Sequence, residues 1–459
     1  MEIPLLLLAL TGTAIFLIAR TVYRLYFHPL SHIPGPKLAA VTHAYEFYYD
    51  IWCGGRFLWQ IEKMHRQYGP IVRITPREVH VLDPDFYDEI YAPSSRRREK
   101  DPKFVPTFSV TKAMAATVSH EHHRFRRNIL ATFFSKRAVV ELTLMIQERI
   151  AKLLSRLEGF YASGAVVKID DALSALAADV ITYYCYGKLW GFLEAEDFRT
   201  DVRKASSDLS MMVHLNRFLP FLPRLAMKVP IWLVRFFSPG KATLLEFQRS
   251  VREAVREGGK GSKTRTIADR LNDPALPAEE RTLERQQEEG LIVLAAGTDT
   301  TGRIISFALY SVYQDEGILR RLRDALRKVL PTPTSTCALS DLEQIPYLTP
   351  IGSSSLFIHH HPTIFPNPEK FNPDRWLDST ARRLDRYLTT FNKGSRACLG
   401  MNLAYTELYL TIAHIIRRFD LEIDTSRPEE LKITREYFIG QAEDDDPRVR
   451  ARVVRILEE

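Results

Sequence analysis

The chain has 459 residues, 45% hydrophobic and 26% charged, with a formal net charge of +7. A length beyond the usual single-core size, with no Gly/Ser linker and no internal repeat, argues for one large helix-rich catalytic domain rather than an array of modules. The positive excess is mild and its Lys/Arg clusters are interleaved with acids and apolar residues, which argues against nucleic acid as a partner, while Cys53, Cys185, Cys337 and Cys398 lack the paired spacing of a disulfide scaffold and point to a reducing compartment.

From the amino terminus, Ile3 to Ala19 is an almost unbroken apolar run with Glu2 before it and Arg20 and Arg24 after it. This predicts a membrane helix over 1–20 with the bulk of the chain on the cytoplasmic side. A cleaved signal is the rival reading, but the run is long for a signal core and no Ala-x-Ala site ends it. A basic and proline hinge follows over 21–37, closed by His32-Ile-Pro-Gly-Pro-Lys37, and 38–459 forms the remaining domain. Gln60 to Tyr68 has helical spacing, and Gly69 to Ile74 with Glu78 to Leu82 alternates as a small β-hairpin. Phe104 to Val118 is apolar with few charges and reads as a loop. His123-Arg-Phe-Arg-Arg127 opens a basic helix that runs into Phe133-Phe134-Ser135-Lys136. Its leading His120-Glu-His-His123 is no zinc-peptidase helix, because Arg124 stands where the second histidine is needed. The run His359-His360-His361, read as extended, sends neighbours to opposite faces and cannot chelate one ion.

Glu288 to Tyr313 has the spacing of a long helix and carries Ala296-Gly-Thr-Asp-Thr-Thr301 at its centre. Small residues at Ala296 and Gly297 open a helix face to a ligand, Thr300 can hydrogen-bond oxygen or water, and Asp299 can pass protons. The bland alternative has the threonines bonding back to their own helix and Asp299 as a surface acid. Further on, Phe391-x-x-Gly394-x-Arg396-x-Cys398-x-Gly400 precedes an apolar helix from Asn402 to Phe419. Every fixed position there has a role if Cys398 is a thiolate ligand to haem iron: the glycines let the backbone approach a flat macrocycle and aim amides at sulfur, and Arg396 suits a propionate.

In this order the motifs resemble the cytochrome P-450 family, and Pro29 to Pro36, Gly69 to Asp83 and Pro362 to Trp376 look most like fungal members related to trichodiene oxygenase. The resemblance implies a mainly α fold with a small β region, preceded by one transmembrane helix. It implies haem b on Cys398 in a loop shaped by Phe391, Gly394 and Gly400, with Arg396, His123 and Arg127 at the propionates and the 104–118 loop over the haem. Asp299 and Thr300 become the proton-delivering pair, and Ala296, Gly297 and Thr301 line the substrate pocket. The implied reaction hydroxylates or epoxidises a hydrophobic small molecule, a terpenoid or other fungal secondary metabolite, with O2 as co-substrate. Electrons come from NADPH through a flavoprotein reductase docked on the helix of Arg124, Arg126 and Arg127, at the endoplasmic reticulum membrane. No Gly-x-Gly-x-x-Gly follows a strand, so NADPH itself is not expected on this chain. A haem-thiolate isomerase or peroxygenase is a further alternative, disfavoured because neither needs an oxygen-activating pair.

One family feature is missing. Between the two motifs the family carries a Glu-x-x-Arg helix whose charges tie to an arginine in the segment Phe371-Asn-Pro-Asp-Arg-Trp376. Arg375 is present, but the chain passes from Leu342–Thr349 through Pro350-Ile-Gly-Ser-Ser-Ser355 to Leu356, and the interval from Thr300 to Cys398 is a few dozen residues short. Glu246 to Arg249 and Glu253 to Arg256 precede the long helix and cannot substitute. Losing the partners of a buried arginine costs ~3–5 kcal/mol against a whole-domain stability of ~5–15 kcal/mol. The sequence therefore predicts either coding sequence skipped near 349–356 or a truncated paralogue that does not hold haem.

Overall fold

The computed structural model describes residues 2–108, 110–222, 225, 229–237, 239–257, 266–345, 348, 356–377, 384–424, 431–443 and 449–458. The chain forms two compact units, one of Met1–Ile90 with Ile433–Gly440 and one of Tyr91–Lys432 with Gln441–Glu459.

In the first unit, helix α1 (Glu2–Val22) continues through a π turn at Tyr23–Phe27. Its apolar window Leu6–Phe27 has mean hydropathy 1.8 and is not buried by the protein, and it is long and apolar enough to cross a membrane. The hinge then folds back because Arg73, 2% exposed, donates to the carbonyls of Arg24 and Pro76 at 2.8 Å each. Gly35 is required here: a Cβ would lie 2.4 Å from the Arg73 carbonyl oxygen. Helix α2 (Phe57–Tyr68) buries Phe57, Ile61, Met64 and His65 along one stripe. Strands β1 (Ile71–Arg73) and β2 (Val79–Val81) pair antiparallel with Val72 opposite His80.

The second unit is mainly helical. Helix α3 (His120–Ala131) is capped by Ser119, and α4 (Thr143–Ser163) ends at Gly164 in the left-handed region. Helix α5 (Ile169–Tyr186) is buried on nearly every face, as its run of Ala, Leu, Val and Ile requires. Against it lies the 31-residue α6 (Leu283–Tyr313), whose closest approaches fall at glycines. A Cβ on Gly302 would lie 2.6 Å from the Ser174 hydroxyl oxygen, and one on Gly297 would lie 2.9 Å from Ile181. Helix α7 (Glu316–Arg327) buries Ile318, Leu322 and Leu326, and α8 (Met401–Arg418) is a core helix over most of its length. A three-stranded antiparallel sheet β3 (Val166–Lys168), β5 (Arg450–Ile456), β4 (Phe419–Ile423) packs at one edge, with β5 central.

The expected helices recur, Phe57–Tyr68 and Leu283–Tyr313 with longer bounds, while the hairpin strands are shorter than expected and the 104–118 stretch includes 3-10 turns. The histidine run differs outright: Leu356–His359 is a short helix, so the reading of His359 to His361 as extended is corrected, and His360 pairs with Glu369 at 3.3 Å. The junction 349–355 and Asp378 lie outside the described residues.

Candidate functional site

The Cys398 loop is built by local constraints. Gly394 has φ +67°, and a Cβ there would sit 2.2 Å from the carbonyl oxygens of both Tyr91 and Ala92. The tight turn lets the Cys398 amide donate to the Phe391 carbonyl at 2.7 Å and the Ser395 amide to Ala92 at 3.1 Å. The Phe391 ring packs on Tyr405 with centroids 4.9 Å apart, which ties the loop to α8. Gly400 has no atom within 4 Å of its Cβ position. The Cys398 side chain is accessible to solvent yet recessed among its neighbours. That partial burial pushes the thiol pKa up, while the Gly400 amide and the Arg127 guanidinium oppose it. A recessed sulfur, open on one side and supplied with a donor and a cation, suits a thiolate that binds a metal at its open face.

Around it lie cations in search of an anion. His123, 4% exposed, is held down to about 3 by burial first and then by Arg396, Arg127, Lys100 and His120. Arg127 donates to the Ala397 carbonyl at 2.7 Å, Arg396 to Thr117 and Val118 carbonyls at 3.0 Å each, and Lys100 to Ala115 at 2.6 Å. Glu99 offsets part of this charge at Arg396. Three fixed cations beside a neutral histidine suit a ligand carrying two carboxylates, as haem does. The donor set therefore fits haem.

The centre of α6 is divided. Ala296 and Thr300 are exposed on one stripe, with the Thr300 hydroxyl donating back to the Ala296 carbonyl at 2.6 Å. Asp299 turns elsewhere, pairing with Arg303 at 3.4 Å and lining a small cavity of mixed character with Asp170, Ser174, Arg203, Phe307 and Val449. Gly297 faces Ile181 of α5, and Thr301, 6% exposed, donates to the Glu407 carboxyl of α8. Burial holds Glu407 well above the usual carboxylate range. The structure thus brings Ala296 and Thr300 to an open face, and places Asp299, Gly297 and Thr301 against other parts of the protein.

The basic helix is also divided. Arg124 is exposed, but Arg126 is 8% exposed and held at 3.0 Å by Glu280, so Arg126 is turned inward and does not contribute to a docking face. Arg375 donates to the carbonyls of Asn367 and Lys370 at 2.8 and 3.4 Å and, among the described residues, has no carboxylate partner; Asp374 instead pairs with Arg321 at 2.9 Å. Nearby, Trp376 Nε1 and His359 Nδ1 are buried without a hydrogen-bond partner among the described residues.

Lys100 and Glu407 were not singled out from the sequence. Glu407 had a visible signal, an acid inside the apolar helix after Cys398, whereas Lys100 sits in a run of charges that offers none.

The fold and this loop define a haem-thiolate protein. The cytochrome P450 family profile matches residues 45–351 and again 349–443, and the chain belongs to that family. It is 38% identical over 493 positions to conidiogenone synthase PchP450 of Penicillium rubens, covering 98% of this chain and 99% of the relative. It is 37% identical to the cytochrome P450 monooxygenase TRI4 of Trichoderma arundinaceum, over 93% of this chain and 91% of the relative. It is 36% identical to the cytochrome P450 monooxygenase aflU of Aspergillus parasiticus, over 97% of each. The family match breaks at 349–351, and the 493-position alignment is longer than the 459-residue chain, so that relative carries residues this chain lacks.

Proposed function

We propose that this protein is a membrane-anchored haem-thiolate monooxygenase that oxidises a hydrophobic small molecule, a terpenoid in the first instance, in fungal secondary metabolism. The observation that carries this is the recessed Cys398 thiol beside Arg127, Arg396, Lys100 and neutral His123. When bound through Cys398, haem supplies oxygen activation and the transfer of one oxygen atom to carbon. The chain's own residues do the rest. The Gly400 amide and Arg127 would favour the sulfur anion once it is ligated, and Arg396, Arg127 and Lys100 would hold the carboxylates. Ala296 keeps one stripe of α6 low, and the Thr300 hydroxyl stands there as a donor once it leaves the Ala296 carbonyl. Asp299, paired with Arg303 on the neighbouring face, would pass protons from there. A flavoprotein reductase supplies NADPH electrons, and α1 holds the chain in the endoplasmic reticulum membrane with the domain facing the cytoplasm.

The relatives' names support oxygenation as the reaction class. The terpenoid substrate rests on the resemblance to trichodiene oxygenase-like members. A second reading has a specific observation in its favour: among the described residues, Trp376 Nε1 and His359 Nδ1 are buried without a partner and Arg375 has no carboxylate, which is what loss of the neighbouring segment would leave. On that reading the 459-residue product is a truncated form that holds haem poorly. Reconstitution with haem tests the proposal: the reduced carbon monoxide complex absorbs at the thiolate-specific position, and Cys398→Ala abolishes it. Haem kept with an unchanged spectrum in that variant contradicts the assignment.

A further inference from the structure

The segment 110–118 has one short turn of regular structure, Met114–Ala116, yet its backbone is bolted down by charged side chains from several elements. Glu288 of α6 accepts the Lys112 amide, and Glu289 Oε2 accepts the Met114 amide at 2.9 Å. Arg126 of α3 donates to the Lys112 carbonyl at 2.8 Å and to the Thr117 hydroxyl at 3.0 Å. Behind these bonds stands a buried lattice of charge. Glu280 accepts from Arg126 at 3.0 Å and from Arg285 at 3.2 Å, and Arg285 also pairs with Glu289. Arg285 and Glu289 are both 0% exposed, and Glu280 1%.

Stability does not account for this lattice. Glu289 Oε1 and Arg285 Nη2 are buried with no hydrogen-bond partner among the described residues, and the Tyr186 hydroxyl, also unpartnered, lies 2.1 Å from where a Cβ on Gly290 would be. A buried ion cluster that leaves polar atoms unmet is commonly no better than apolar side chains of the same volume. What an apolar replacement cannot do is hold the Met114 amide against α6.

We propose that Glu289, seconded by Glu288, is a positioning residue that fixes the 112–117 segment to α6 and so sets the size of ligand admitted to the site. The second half rests on the placement of that segment over the haem. The charge lattice fixes the Glu289 carboxylate, the carboxylate fixes Met114, and the 3-10 turn carries the position on to Thr117.

Hydrogen exchange on the full chain tests the clamp. The double variant Arg285→Met/Glu289→Met removes one cation and one anion together, leaving Arg126 paired with Glu280. It is expected to speed exchange of the Met114 amide roughly 10-fold or more, the scale for losing a charge-assisted hydrogen bond, with the Lys112 amide, still held by Glu288, changing less, while melting stays at or above the parent value. Glu289→Gln, which keeps an acceptor oxygen, is expected to retain most of the protection and serves if the double variant fails to fold. Tyr186→Phe, in the same cluster, should leave the loop amides unchanged. Unchanged amide exchange in the double variant, or loop release by Tyr186→Phe, overturns the clamp. On the haem-loaded chain with the 349–356 gap restored, the double variant should favour 4-phenylimidazole over imidazole more than the parent does. A released loop with an unshifted ratio overturns the ligand-size role. Failure of the haem-thiolate reading shows differently, as no azole spectrum in any variant, and leaves the exchange result to decide the clamp.

Discussion

Replacing Gly394 by alanine attacks the Cys398 loop without touching the sulfur. At φ +67° an alanine pays ~1–2 kcal/mol for the left-handed region. Its Cβ would stand 2.2 Å from two backbone carbonyl oxygens, of Tyr91 and Ala92. Neither is the far end of a flexible side chain, so relief requires the 91–92 backbone or the loop itself to move, at the ~1–3 kcal/mol typical of overpacking. The sum, ~2–5 kcal/mol, is a large share of the ~5–15 kcal/mol that holds a domain together. Movement of the loop also breaks the Ser395 to Ala92 hydrogen bond and shifts the Cys398 amide from Phe391. Thermal melting followed by circular dichroism, with haem titration by Soret absorbance, should show a lower transition and weaker haem uptake. Gly400→Ala is the control, since its φ of −83° and empty surroundings predict little change in melting. A Gly394→Ala variant that melts and loads haem like the parent would refute the reasoning.

Thr300→Ala should leave haem loading intact but divert electrons to peroxide and water, costing ~10²-fold or more in product, measured as product formed per NADPH consumed; unchanged coupling would argue against the role. Burial, with Arg418 second, holds His414 at about 4 against its ordinary 6.5. Its folded form thus binds fewer protons than its unfolded form, so stability is full above 6.5 and drains as pH falls towards 4. Urea midpoints across that range should fall, and His414→Gln should make the fall shallower. Removing residues 2–22 takes away α1 and should move much of the protein from the microsomal pellet to the supernatant; an unchanged pellet fraction would count against the anchor.

Local order was well written in the residues. The period of Leu283–Tyr313, the alternation of Gly69 to Ile74 and Glu78 to Leu82 and the apolar run at the start each decide their own element, because the pattern that buries a face is a pattern of near neighbours. The spaced Phe391 to Gly400 loop was legible for the same reason. What escaped depends on distant chain. Arg126 and Arg127 are adjacent in one basic helix, yet only the first meets a buried acid, Glu280, from far along the sequence. Gly297 reads as an opening for a ligand until Ile181 of α5 is placed against it. Thr300 and Thr301, alike in sequence, differ by one step around a helix, which sends one to an open face and the other to Glu407. The central strand β5 pairs with segments on either side of the helical core, a register no local pattern contains.

The central claim is that the Cys398 site is complete in its ligand and cations, while the chain lacks the segment that once partnered Arg375. The most direct measurement compares the 459-residue product with a version carrying in-frame coding sequence restored between Thr349 and Leu356. Both are reconstituted with haem, and their reduced carbon monoxide spectra and haem content are recorded. The account predicts a thiolate-type spectrum in both, with clearly less haem held by the first than by the second, and its loss in each on Cys398→Ala. A stable, fully haem-loaded 459-residue protein that couples NADPH to product would contradict it, showing that Arg375 needs no Glu-x-x-Arg partner in this chain.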